Sequence, residues 1–132
     1  MSNEDDDARV FNPPIVWGGM QRDPEALYEK MLDNEFRGEP VISVRWDEPR
    51  SGESRDTHVE RVCRDGLVKH GKIQTSTRQQ VTDAGFGFVE DASPGQAPLH
   101  YHVVFASPLT LDQAERFISI FSDPIPNPAK RT

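Results

Sequence analysis

The stretch from Leu99 to Phe121 constrains the fold more strongly than any other part of the sequence. Apolar side chains occupy every second position from Leu99 to Phe105, which predicts a strand with one face on a core. Ser107-Pro108 ends that strand, because proline has no N–H to donate to a sheet. Thr110 and Gln113 have the spacing of a helix capping box. The apolar residues that follow lie on one helical face and predict an amphipathic helix: Leu111, Ala114, Phe117, Ile118 and Phe121.

Two further elements are predicted upstream. Asp23-Pro24-Glu25 combines a capping carboxylate, proline at the first helical position and an acid near the positive end of the helix dipole. The helix that begins there is expected to end at Gly38, since glycine is the usual residue just past a helix. Alternating apolar residues over 41–47 then predict a strand with one solvated face.

The middle of the chain carries a hairpin pattern. Thr57–Arg64 and Leu67–Gln74 flank Asp65-Gly66, a pair suited to the positive φ angles of a two-residue turn. Gly85–Phe88 predicts one more strand, with both phenylalanines on the same face.

These elements predict an α+β fold with an N-terminal helix, an antiparallel meander sheet of four to five strands, and a C-terminal helix packed on the sheet. Residues 1–22 are acidic and proline-rich, so we expect them to form a flexible arm. Residues 23–122 are expected to form a single α+β domain. Residues 123–132 contain several prolines and are predicted to be a flexible tail.

Composition narrows the classes of partner. The formal net charge is −7, so the chain repels a phosphate backbone and general nucleic-acid binding is not expected. The single cysteine, Cys63, excludes an internal disulfide framework and favours a small buried apolar role over that of a nucleophile. No run approaches the roughly 20 apolar residues of a membrane helix, and the N-terminal residues contain no apolar run typical of a signal peptide, so we expect a cytoplasmic location.

The histidines suggest a ligand site. His100 and His102 are two residues apart on a predicted strand and project from the same face, where two imidazoles can bind one ligand. The sequence offers them no evident third metal ligand, so we predict neither a metal site nor a cofactor. His70 lies on the predicted hairpin and is the remaining candidate for binding a small molecule near this pair.

Four residues are candidates for contact with a partner protein. Phe11 and Trp17 lie in a segment stiffened by prolines and ended by glycines, which either pins the arm onto the domain or acts as a hook for a partner's groove. Arg61 and Arg64 belong to a basic cluster on the predicted hairpin. That cluster is either a solvated sheet edge or a surface that binds an acidic partner.

The sequence places no convergent catalytic groups, so we name no catalytic residue and expect binding rather than catalysis. The favoured hypothesis is a small acidic protein-interaction module, such as an adaptor, a chaperone-like protein or a toxin-neutralising protein. The alternative is a small-molecule-binding or enzymatic α+β domain with a pocket near His100 and His102. Nucleic-acid binding through the predicted hairpin over residues 55–80 is a weaker alternative.

Overall fold

A six-stranded antiparallel sheet forms the centre of the fold in the computed structural model, which describes residues 13–36 and 40–130. The strands are β1 (Pro14–Gly18), β2 (Val41–Arg45), β3 (Lys72–Thr77), β4 (Gly87–Glu90), β5 (His100–Val104) and β6 (Ile125–Pro126). Their order across the sheet is β4-β5-β2-β1-β3-β6. The helices are α1 (Pro24–Phe36), α2 (Arg55–Asp65), α3 (Arg78–Asp83) and α4 (Leu111–Ser119), and a 3-10 turn spans Pro128–Lys130.

One face of the sheet carries the main hydrophobic core. Helices α1 and α4 contact each other over this face, and Phe117 of α4 is completely buried at its centre. Its ring lies 4.8 Å from the ring of Trp17 and 5.8 Å from that of Phe86, both edge to face, as aromatic quadrupoles prefer. Aromatic packing therefore closes this side of the sheet.

The opposite face is covered over only part of its width. Helix α2 packs on β1 and on the 3-10 turn, where Val59, Val62 and Cys63 form a second apolar cluster with Val16 and Ile73. Across β2, β5 and β4, the same face carries polar side chains that remain half-buried or exposed, among them Ser43, Arg45 and His102. This half of the sheet therefore presents polar side chains on a rigid surface.

The structure confirms the predicted fold class, with a helix packed on the sheet after the strands, although the sheet has six strands rather than four to five. The strand order also departs from a simple meander, because β1 lies between β2 and β3. The predicted start of α1 is confirmed: Asp23 Oδ1 accepts a hydrogen bond from the Glu25 N–H at 3.0 Å. The capping box of α4, between Thr110 and Gln113, is present as predicted.

The predicted hairpin is wrong, because its first arm is the helix α2. Ser54 caps this helix by accepting a hydrogen bond from the Thr57 N–H, and Gly66 ends it. Val59, Val62 and Cys63 recur at helical spacing and are buried together. The β-branched residues of the segment favoured a strand, but burial of one helical face against β1 outweighs that local preference. Nucleic-acid binding through this hairpin loses its structural basis.

The predicted boundaries of the arm and the tail need correction. Pro14–Gly18, assigned to the arm, is the inner strand β1 and pairs with β3 along its whole length. At the other end, Ile125–Pro126 pairs with the edge of β3, where a proline without an N–H is tolerated. Asn127 is buried and its side-chain amide donates to the carbonyl oxygens of Val68 and His70. Both segments therefore belong to the folded domain.

Candidate ligand-binding site

A cleft of about 710 Å³ opens where β1 and β2 separate. The two strands pair at a single position, Val16 with Arg45. The walls of the cleft come from both strands, from α1, from the turn over residues 67–70 and from the loop over residues 95–98. The lining side chains that carry a polar or charged group are Trp17, Lys30, Asn34, Ser43, Arg45, Lys69, His70 and Gln96.

The register of the neighbouring strands explains why the cleft has a polar floor. Trp46 donates its N–H to the Leu99 oxygen, which fixes the even-numbered residues of β2 as those that bond to β5. The backbone groups of Val41 and Ser43 consequently point the other way, towards β1. The Val41 oxygen accepts a hydrogen bond of 3.3 Å from the Asn34 side chain rather than from a strand. Main-chain groups on the β1 side of β2 thus face the cleft.

The charges around the cleft are of one sign. Lys30, Arg45 and Lys69 line it, together with His70, and none of the described lining residues is an aspartate or a glutamate. The whole chain has 22 acidic and 15 basic residues, so this local excess of cations runs against the overall charge. An anionic group that enters the cleft meets cations without a competing carboxylate on its walls.

The rest of the fold holds these cations in position. Arg45 donates from Nε to the Gly66 oxygen at 2.8 Å, which ties its guanidinium to the end of α2, and burial lowers its pKa from the ordinary value. The turn that carries Lys69 and His70 is held by the side chain of Asn127. The site is therefore built by parts of the chain that lie far apart in sequence.

Gly18 allows His70 to approach the sheet closely. A Cβ atom added to Gly18 would lie 2.2 Å from Nδ1 of His70 and 2.9 Å from its Cγ, well inside van der Waals contact. The imidazole can occupy this place only because residue 18 has no side chain. Gly18 therefore helps to set the shape of the cleft wall.

The predicted histidine pair lies next to the cleft rather than within its lining. His100 is directly across from Arg45, and His102 is directly across from Ser43, both on the face of the sheet that is partly uncovered. Directly opposed residues on one face have Cβ atoms about 4.5–5.5 Å apart. His100 and His102 thus lie beside two residues of the cleft wall, Arg45 and Ser43, while neither histidine lines the cleft itself.

A carboxylate joins the two histidines at this edge. Asp91 follows β4 and donates its N–H to the His100 oxygen, which places the two residues opposite each other. Oδ2 of Asp91 lies 3.3 Å from Nδ1 of His100 and 3.5 Å from Nε2 of His102. Its other oxygen, Oδ1, accepts hydrogen bonds from the N–H and the hydroxyl of Ser93. The Ser93 bonds fix the carboxylate with one oxygen directed at both imidazoles.

The surroundings lower the pKa of both His100 and Asp91. This disfavours the charged form of His100 and favours the charged form of Asp91. Burial lowers the pKa of His100, and the positive charges of Arg45 and His102 lower it further, so the neutral imidazole is favoured. Hydrogen bonds from Ser93 lower the pKa of Asp91, which favours its carboxylate form. At neutral pH the cluster therefore combines a neutral His100 with an ionised Asp91.

Of the residues predicted to contact a partner protein, the three that the structure describes are not brought together. Trp17 is only 8% exposed in β1 and packs edge to face against Phe117 and Phe121, so it is not available as a hook. Phe11 lies outside the described residues. Arg64 is exposed and pairs with the adjacent Asp65. Arg61, by contrast, is buried.

Arg61 is the centre of an internal charge cluster. Its Nε and Nη2 donate to the two carboxylate oxygens of Glu53 at 2.7 and 3.0 Å, and Nη1 donates to Asp47 at 2.7 Å. The bond from Arg61 lowers the pKa of Glu53 to about 2, and the same pairing raises that of Arg61. These contacts join α2 to the end of β2 and leave the guanidinium no free surface for a partner.

Cys63 has the buried role expected of it. It is part of the apolar cluster under α2, and burial raises the pKa of its thiol to about 12, with a further increase from the charge of Glu60. A thiol of this kind is almost entirely protonated at neutral pH and is a poor nucleophile.

Three residues of the site were not predicted from the sequence: Lys30, Arg45 and Asp91. Asp91 lies just after the predicted strand over Gly85–Phe88, and a hairpin between this strand and the one that begins at Leu99 brings it near His100. The length of the connection over residues 92–99 left the register open. For Lys30 and Arg45 no local signal exists, because the cleft depends on how β1 and β2 separate. Lys69 belongs to the basic cluster of the predicted hairpin, for which binding to an anion or an acidic partner was one of two interpretations.

No protein-family model, curated protein or solved structure matches this chain. The helices found within residues 13–36 and 40–130 are all too short or too polar to cross a membrane.

Proposed function

We propose that the protein binds a small organic anion, with an acidic group and an apolar body, in the cleft between β1 and β2. The observation that carries the proposal is the cationic lining of this cleft in a chain of net charge −7. Lys30, Lys69 and Arg45 attract the acidic group, and the main chain around Ser43 offers hydrogen bonds to it. The proposal develops the second sequence hypothesis, a small-molecule site beside His100 and His102.

The apolar part of the lining supports an amphipathic ligand rather than a free inorganic ion. Leu27, Ile42, Val68, Ala97 and Pro98 contribute to the walls. Leu67 also lines the cleft and is 54% exposed, which leaves a large apolar side chain at its mouth. Burying such side chains against a ligand contributes about 25 cal/mol per Å² of apolar surface removed from water. Charge and apolar contact together favour an aryl or alkyl carboxylate or phosphate ester.

Phenyl phosphate is a suitable probe, and phenol is its uncharged counterpart. The protein is first treated with a chelator, so that any effect of a metal ion is excluded, and is then titrated while amide shifts are followed by NMR. We expect saturable shifts at Gly18, Ser43, Lys69 and Gln96 with phenyl phosphate and much smaller shifts with phenol. Raising the salt concentration should weaken the binding, because exposed charges are screened.

Matched lysine variants test whether the cleft charges are responsible. Lys30→Gln and Lys69→Gln should each weaken phenyl phosphate binding by about threefold, as expected for partly exposed ion pairs. Lys72→Gln removes the same charge from an exposed position on β3 outside the cleft and should leave the affinity unchanged. An equal loss of affinity in all three variants would show that only the net charge of the protein matters and would contradict the proposal. Amide shifts scattered away from the cleft would contradict it as well.

The first sequence hypothesis, surface contact with a partner protein, stays a prediction. The aromatic hook that motivated it rested on Trp17, which is buried, and on Phe11, which is outside the described residues.

A further inference from the structure

We propose that His100, His102 and Asp91 form a binding site for a divalent transition-metal ion at the edge of the cleft. Two imidazole nitrogens and one carboxylate oxygen from these residues all lie within 4.8 Å of one another. Ligand atoms bound tetrahedrally to a common zinc ion at 2.0–2.2 Å are separated by about 3.3–3.6 Å. The distances from Asp91 Oδ2 to the two nitrogens, 3.3 and 3.5 Å, already match that spacing.

The backbone fixes these three ligands on rigid elements. His100 and His102 project from the same face of β5, and Asp91 is opposite His100 at the end of β4. The loop that follows β4 supplies Ser93, whose two hydrogen bonds occupy only Oδ1 of the carboxylate. Such an outer contact orients a metal ligand while leaving the other oxygen available.

Nδ1 of His100 is a second, independent indication of a ligand. The side chain is only 5% exposed, and within the described part of the chain its Nδ1 accepts or donates no hydrogen bond of acceptable geometry, although Asp91 Oδ2 is 3.3 Å away. Buried polar atoms are almost always paired, so an unpaired ring nitrogen calls for an explanation. A metal ion between His100 and Asp91 gives this nitrogen a partner.

The donor set also indicates the class of ion. Imidazole favours zinc, iron, nickel and copper, whereas magnesium and calcium prefer an all-oxygen shell. Three protein ligands leave at least one coordination position for water or an anion. His102 is partly exposed, which gives an ion access from solvent. The site neighbours the cleft through Ser43 and Arg45, but the proposal holds whether or not an organic anion binds there.

Zinc binding to the full chain can be measured by titration calorimetry after chelation. We expect one equivalent of Zn²⁺ to bind, Co²⁺ to compete for the same site, and Mg²⁺ to have no effect. Asp91→Asn and His102→Gln should each weaken zinc binding at least tenfold. His70→Gln removes an exposed histidine outside the cluster and should leave zinc binding unchanged.

Imidazole ¹⁵N spectra of the wild-type protein give a second readout that does not depend on variants folding correctly. Zinc should shift Nδ1 of His100 and Nε2 of His102 and leave the ring nitrogens of His70 in place. Absence of stoichiometric zinc binding would overturn the proposal. Zinc shifts centred on His70, or unchanged zinc affinity in both Asp91→Asn and His102→Gln, would overturn it equally.

Discussion

Arg61 and Arg45 lie on the same side of the sheet but differ in the partners of their guanidinium groups. Arg61 belongs to a cluster of internal ion pairs, whereas Arg45 lines the cleft. Arg61 is 3% exposed and donates to Glu53, to Asp47 and to a main-chain oxygen of Glu48, so its charge is matched inside the protein. Among the residues that the structure describes, Arg45 donates hydrogen bonds to main-chain oxygens alone, and it lines a cleft that contains other cations.

This difference separates structural charges from charges available to a ligand. A cation that already binds two carboxylates has little to gain from a further anion, whereas cations that share a wall without a carboxylate favour an anionic guest. The sequence made Arg61 a candidate for binding a partner, because the residues next to it in a basic segment do not show which carboxylates it pairs with in the fold. The carboxylates that neutralise it come from a loop and from the end of β2.

The largest expected effect is on the Arg61 cluster. Arg61→Met should lower the free energy of unfolding by about 3–5 kcal/mol, because Glu53 would be left buried without its partner. Urea denaturation at neutral pH measures the change. Arg64→Met is the matched control, since that side chain is 60% exposed and its loss should cost no more than about 0.5 kcal/mol. Similar losses in both variants would contradict the distinction drawn between the two arginines.

Acid should weaken the same cluster. The pKa of Glu53 is lowered from 4.5 to about 2 in the folded protein, so its contribution is complete above pH 4.5 and is lost as the pH falls from 4.5 towards 2. The loss should be about 1.5–3 kcal/mol, the usual contribution of a hydrogen bond to a charged group. Urea denaturation at a series of pH values checks this. The decline over that interval should be smaller in Glu53→Gln, and an identical decline would show that other carboxylates are responsible.

The smallest effect on stability, but a clear effect on binding, is expected at Gly18. Gly18→Ala places a Cβ where the His70 ring lies, so the exposed imidazole must move into or away from the cleft. The free energy of unfolding should change by about 1 kcal/mol or less, because an exposed ring can shift. Phenyl phosphate binding, measured by NMR titration, should change by several-fold.

Gly71→Ala is the control for this change, because nothing lies within 4 Å of a Cβ added there. It should leave the binding of phenyl phosphate unaltered. Equal effects of the two substitutions on phenyl phosphate binding would show that the position of the His70 ring does not shape the cleft.

Much of the local structure was predictable from the sequence. The start of α1, the capping box of α4 and the presence of two histidines on one face of β5 depend on contacts between near neighbours. The error over residues 57–74 has the same origin, because β-branched residues and Asp65-Gly66 carry a real local preference for a hairpin. The free energy of that local preference is smaller than the free energy gained by burying Val59, Val62 and Cys63 against the sheet.

The sequence by itself determined the α+β class, the two covering helices and the shared face of His100 and His102, because hydrogen-bond caps and side-chain periodicity act over a few residues. Only the tertiary structure decided that β1 enters the middle of the sheet, that β1 and β2 pair at one position, and that Asp91 meets the histidines. These features depend on strand register and on the balance of burial between distant segments. The pairing of β1 joins segments that are far apart along the chain, and the long connection over residues 92–99 leaves the register of Asp91 against His100 open in the sequence.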